Sequence, residues 1–121
     1  MKKLFGYGLV AFMAIMLIGL TTNLTYAGET FLSGPSDSPG HGHNEEGIKH
    51  AGMEHWGVAE GHFMEAVQAD NKMAEAHYNL AVALHNQKKH GDAKKHFKHA
   101  LDLAPKNPKI AGSGLLQGHL K

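Results

Sequence analysis

Apolar residues recur with helical spacing in two successive stretches of residues 74–107. The first stretch predicts a helix over about residues 74–87, and the second predicts a helix that ends before Pro105. Residues 88–91 form the predicted turn, so the two helices should make an antiparallel hairpin. The apolar faces that would meet inside it consist of Leu80, Ala81, Leu84, Ala93, Phe97, Ala100, Leu101 and Ala104.

Part of this pattern already occurs one unit earlier in the chain. His62 and Phe63 hold the places there that His96 and Phe97 hold in the unit at 74–107, and residues 56–67 predict an equivalent second helix. The helix before it is weaker, because Glu46 and His50 stand at positions that should be apolar, so residues 44–54 are either a degenerate helix or a shifted one. Residues 44–73 are therefore predicted to be a degenerate copy of the unit at 74–107.

The chain after Pro105 predicts one more helix. Residues 108–121 would place Ile110, Leu115, Leu116 and Leu120 on its buried side. The glycines of this segment weaken the prediction, because glycine is unfavourable inside a helix. They are Gly112, Gly114 and Gly118.

The unit at 74–107 resembles the tetratricopeptide repeat. His77 stands in the place of the Trp of that pattern, and Leu84 in the place of its first aromatic residue. The matching positions are Leu80, Ala81, Ala93, Phe97, Ala100 and Pro105. The resemblance implies an all-α fold, a short α-solenoid of helix-turn-helix repeats with a C-terminal capping helix.

Residues 1–27 resemble a secretory signal peptide. Lys2 and Lys3 precede an apolar run over residues 4–20, and Ala27 closes a small-residue cleavage sequence. An uncleaved inner-membrane anchor facing the periplasm is the alternative. Both interpretations export the domain, with the periplasm as the expected location. Residues 28–43 are rich in Gly, Ser and Pro, and predict a flexible leader.

The resemblance to the tetratricopeptide repeat also implies a function. In that family the first helices line a groove that binds peptide segments or partner proteins. The corresponding residues are Glu75, Tyr78, Asn79, Val82, His85 and Asn86. A non-catalytic exported scaffold that binds protein partners is therefore the main interpretation.

Eleven histidines support an alternative from another class. Neutral imidazole is a favoured ligand of Cu(II), Ni(II) and Zn(II), so the chain could be a histidine-rich buffer of such ions. His96 and His99 lie three residues apart on a helix, and His41 and His43 stand in the predicted leader. These four are the candidate ligands for loosely bound Cu, Ni or Zn, with no cofactor required. His77 falls on the apolar stripe, where a buried, hydrogen-bonded side chain is expected.

Other classes of function lack their motifs. The chain has no Cys, and no phosphate-binding loop or nucleophile elbow occurs, so we do not expect an enzyme. It also has no Arg, the residue on which nucleic-acid readers depend most, so we expect no nucleic-acid partner.

Charge is distributed unevenly along the chain. Residues 44–75 carry seven acidic and two basic side chains, whereas residues 76–121 carry two acidic and eight basic ones. Such halves could meet between chains. Because helical repeats bury their cores against neighbours, we also expect a homo-oligomer or a partner-bound state.

The sequence predicts that the mature chain begins at Gly28. The mass of the protein recovered from the producing cell checks this, with the chain 28–121 as the expected species. An intact mass that includes residues 1–27, found in the membrane fraction, would show that the segment is an anchor.

Overall fold

The computed structural model describes residues 25–26 and 29–121. The predicted signal segment therefore lies outside the described residues, apart from Thr25 and Tyr26. The chain divides into two units after residue 30. Within the first unit, strand β1 (Thr25–Tyr26) pairs antiparallel with strand β2 (Glu29–Thr30), and Thr25 lies opposite Thr30.

The second unit, residues 31–121, is helical. Its helices are α1 (His41–Gly52), α2 (Trp56–Ala69), α3 (Ala74–Asn86), α4 (His90–Leu103), α5 (Pro108–Ala111) and α6 (Gly114–Leu120). Each of the first four packs against its neighbour in sequence, and α6 packs on α4. The predicted all-α fold of short helical hairpins is confirmed. Among the described helices, none combines the length and the apolar character that crossing a bilayer requires.

The two hairpins turn in the same way. Glu54 and Lys88, which hold equivalent places in the two units, adopt positive φ angles of 61° and 64°. In each turn the next amide closes the helix end: His55 N–H donates to His50 O at 3.0 Å, and Lys89 N–H donates to Leu84 O at 2.9 Å. The repeat therefore recurs in backbone conformation as well as in side chains.

Helices α1 and α2 approach closely because α1 carries a glycine. A Cβ on Gly47 would overlap the ring of Phe63, which is fully buried. Ala81 and Phe97 hold the equivalent places in the second hairpin, and both are also 0% exposed. Helix α1 is thus a true helix with a polar outer face, and its buried side consists of Asn44, Gly47 and Ala51.

Residues 31–43 are packed against the helices, whereas the sequence predicts a flexible leader there. Phe31 and Leu32 are buried, and the Phe31 ring stacks on Phe63 with 6.1 Å between ring centroids. Ser38 Oγ donates to Asp70 Oδ2 at 2.6 Å, and α1 already begins at His41. The sequence prediction was based on the Gly, Ser and Pro residues of this segment and overlooked the apolar pair Phe31 and Leu32. Burial of these two side chains contributes about 1.5–3 kcal/mol each.

The predicted C-terminal helix is divided in two. The first piece ends at Ala111, and Ser113 caps the second, because its Oγ accepts a hydrogen bond from Leu116 N–H at 3.2 Å. Asn107 caps α5 in the same way through Lys109 N–H. The apolar prediction holds for Ile110 and Leu116, which are fully buried. The break at residues 112–113 separates their two helices.

We predict that Gly47→Ala destabilises the protein by about 1–3 kcal/mol, because the new methyl group would overlap Phe63 in a packed core. Gly61→Ala is the matched control. Gly61 lies inside α2, and a Cβ added there would meet nothing within 4 Å, so this change should stabilise by up to ~1 kcal/mol. Urea unfolding of both variants measures the difference, and equal effects would contradict the close approach.

Candidate functional site

The surface predicted to bind a partner lies partly in the core. Tyr78, Asn79 and Val82 are exposed by only 1%, 0% and 2%, so the prediction that they face outward is wrong. Helix α3 packs between α2 and α4, and the backbone of Leu32 lies against Asn79. The three predicted residues that keep part of their surface are Glu75, His85 and Asn86.

Asn79 binds the backbone of Leu32 through both ends of its amide. Leu32 N–H donates to Asn79 Oδ1 at 2.9 Å, and Asn79 Nδ2 donates to Leu32 O at 2.8 Å. These groups lie 47 residues apart in the sequence. The pattern matches the donor and acceptor of one extended residue, so it can hold a peptide backbone whatever the side chain.

Asn44 completes this contact from α1. Its Nδ2 donates to Leu32 O at 2.9 Å, and its Oδ1 accepts from Asn79 Nδ2 at 2.9 Å. Both asparagines are 0% exposed, and buried amides are tolerated when they are hydrogen-bonded. The sequence prediction did not include Asn44. Its spacing from Gly47 and Ala51, three and seven residues along one helix face, was the available signal.

A groove of about 640 Å³ adjoins the Leu32 contact. Residues 31–33 form part of it, and Glu75 and the segment 107–109 form the rest. Glu75 and Lys109 place opposite charges along its lining. Asn86 turns back on its own helix, where its Nδ2 donates to Val82 O at 2.9 Å.

The structure places the predicted metal ligands beside residues that the sequence prediction did not pair with them. His41 and His43 belong to α1 instead of a leader, and His43 Nδ1 lies 2.9 Å from Glu65 Oε2. His62 Nδ1 lies 3.6 Å from the same oxygen. These residues form the first cluster, which consists of His43, His62 and Glu65.

The second cluster joins His96 and His99 to His77. His77 is buried, as predicted, and its Nε2 bonds to Asn71 O at 2.9 Å. His77 Nδ1 lies 3.2 Å from His96 Nδ1, and the His99 ring stacks on His77 at 4.2 Å between centroids. Burial lowers the pKa of His77 and of His96, and the neighbouring histidines lower both pKa values further.

The third cluster consists of His85, His90 and His119, each of which offers a ring nitrogen within 4.8 Å of the other two. The sequence prediction named His85 only as a partner contact, and it did not include His90 or His119. The repeat register was the signal, because His85 and His119 lie one repeat length apart, as do His43 and His77. Histidine therefore recurs at equivalent positions, one repeat length apart in the sequence.

Comparison with known proteins supports the repeat at the centre of the domain. Residues 74–107 match the family model described as tetratricopeptide repeat. The chain has no significant match among curated proteins or among solved structures.

We predict that the folded domain loses stability in acid. The folded pKa of His77 lies below its ordinary value of about 6.5, so the unfolded chain takes up a proton more readily. The stability that the buried, neutral His77 side chain contributes is fully present above pH ~6.5. It is lost as the pH falls from there toward the folded pKa. Urea unfolding between about pH 7.5 and 5 measures this dependence. His77→Gln should flatten it, whereas an unchanged slope would contradict the assignment to His77.

Proposed function

We propose that this protein is a non-catalytic interaction module built on its tetratricopeptide repeat, and that it binds an extended segment of a protein partner. Tetratricopeptide repeats are typically scaffolds of this kind. The observation that carries the proposal is the hydrogen-bonded pair between Asn79 and the backbone of Leu32. The domain already holds one extended residue of its own chain by main-chain contacts.

The partner segment binds in the groove beside Leu32 and Ser33. At about 640 Å³ the groove has a size typical of ligand sites. Glu75 and Lys109 give it one charge of each sign, so a partner segment with a basic and an acidic side chain fits best. Tyr78 and Val82, buried in the core, support the fold beneath the surface instead of touching the partner.

The module works outside the cytoplasm in this proposal. The charge, apolar run and cleavage sequence of residues 1–27 support export to the periplasm, with an inner-membrane anchor as the alternative. Its partner is then a protein of the cell envelope. Self-association through the acidic and basic parts of the chain stays a prediction, which light scattering at low and high salt tests.

The test compares two charge reversals in equivalent places. Glu75 lies in the first turn of α3 and lines the groove, whereas Asp92 lies in the first turn of α4 outside it. Each change to Arg places a positive charge near a helix N-terminus, which lowers stability. Asp92→Arg also removes the contact of 3.3 Å between Lys95 Nζ and Asp92 Oδ1, so the control should be destabilised at least as much as Glu75→Arg.

Immobilised protein is used to capture partners from envelope extracts, with the thermal melts of all three proteins as a control for folding. We expect a partner that the unchanged protein and Asp92→Arg retain equally, and that Glu75→Arg binds at least tenfold more weakly. Equal capture by all three proteins would contradict the groove as the binding surface.

A further inference from the structure

His85, His90 and His119 come from three different helices to one point on the surface. His85 is the penultimate residue of α3, His90 is the first residue of α4, and His119 is the penultimate residue of α6. The helix ends that flank the turn between α3 and α4 therefore supply two imidazoles, and the C-terminal helix supplies the third.

The three rings are packed against one another. His85 Nδ1 lies 2.9 Å from His119 Nε2. Ring centroids are 5.1 Å apart for His85 and His90, 5.0 Å for His85 and His119, and 5.5 Å for His90 and His119. Each side chain offers a ring nitrogen within 4.8 Å of the other two.

These separations suit coordination of one metal ion. Tetrahedral Zn(II) with metal–nitrogen bonds of ~2.0–2.1 Å holds its ligand nitrogens about 3.3 Å apart. The observed separations lie around that value, at 2.9 Å between His85 Nδ1 and His119 Nε2 and within 4.8 Å among the ligand atoms of all three rings. We propose that this third cluster binds a divalent transition metal ion, Zn(II), Cu(II) or Ni(II), through three imidazoles, and that the ion fastens α6 to the α3–α4 hairpin.

The surroundings favour the metal-binding form of the rings. A ligand imidazole must be neutral, and burial together with His85 and His90 lowers the pKa of His119. The Phe97 ring lies 5.1 Å from the His119 ring and screens one side from water. Lys94 also lowers this pKa, and its positive charge will weaken cation binding.

The other two clusters are less suited to a three-imidazole site. Among the described residues, the groups whose ligand atoms all lie within 4.8 Å of one another are the first and third clusters, so the second cluster is too open for three imidazoles to share one ion. The first cluster supplies two imidazoles and a carboxylate at the surface, and its His43–Glu65 contact of 2.9 Å is already an ion pair when His43 is protonated. The third cluster is therefore the one of the three that brings three imidazole nitrogens within 4.8 Å of one another.

A bound ion would matter most for α6. That helix has only seven residues, and it includes Gly114 and Gly118, which are less favourable in a helix than Ala. An ion that bridges α6 to α3 and α4 needs the three helices to be packed together, so it should bind the folded state more tightly than the unfolded chain. It therefore stabilises the domain increasingly as its concentration rises.

The experiment titrates the metal-free full chain with Zn(II), and follows binding by calorimetry and the histidine ring nitrogens by NMR. One equivalent should shift the ring signals of His85, His90 and His119 first. His119→Gln and His90→Gln should each raise the dissociation constant of the tightest site at least tenfold. The control His55→Gln, an exposed histidine outside the three clusters, should leave it unchanged.

Three outcomes would overturn the proposal. One is a first equivalent that shifts His43 and His62 instead of the third cluster. Another is an equal loss of affinity in His55→Gln and His90→Gln, which would mean diffuse binding by the histidine population. The third is binding no tighter than millimolar. If His119→Gln fails to fold, His90→Gln decides, because His90 is exposed and its replacement leaves the core intact.

Discussion

The hydrogen bonds between Asn79 and the backbone of Leu32 join parts of this domain that are far apart in sequence. They fix the segment before α1 against α3, which brings Phe31 onto Phe63 and closes the core over the first hairpin. They also bury Asn44 in a satisfied position. Without them an amide pair would lose its partners inside the core, at a cost of about 1–3 kcal/mol per group.

This contact links stability to binding. The segment 31–33 completes a core that two short hairpins alone would leave thin, and it also forms part of the groove proposed for a partner. A change in Leu32 or Asn79 therefore acts on both properties, whereas Glu75 and Lys109 line the groove without belonging to the buried core. Substitutions at Glu75 and Lys109 can therefore change the charge of the groove without changing the buried contact between Leu32 and Asn79.

Elements whose signals are local could be predicted from the sequence. Helices α3 and α4, the buried Phe97 and the buried His77 all follow from helical spacing within one hairpin. The burial of Asn79 could not be predicted in this way, because it depends on Leu32, 47 residues away. The hydroxyl of Tyr78 likewise finds its partner, Ser113, 35 residues away. Composition was misleading at that segment: Gly, Ser and Pro outnumber its apolar residues, but burial depends on the apolar ones.

The histidine clusters show a second limit of prediction from the sequence. Spacing along one helix suggested His96 with His99, but imidazoles meet across helix crossings, where His77 joins both. The repeat offset was present in the sequence, and it brings His43 and His62 together by the same geometry that brings His77 to His96. Register within a repeat was therefore a better guide to these clusters than spacing within a helix.

Hydrogen exchange of the Leu32 amide is the decisive measurement for the backbone contact. The amide donates to buried Asn79 Oδ1, so it should exchange as slowly as amides inside α3, and Asn79→Ala should release it to the rate of an exposed chain. Exchange of the Leu32 amide at the unprotected rate in the unchanged protein would contradict the contact and the closed core that depends on it.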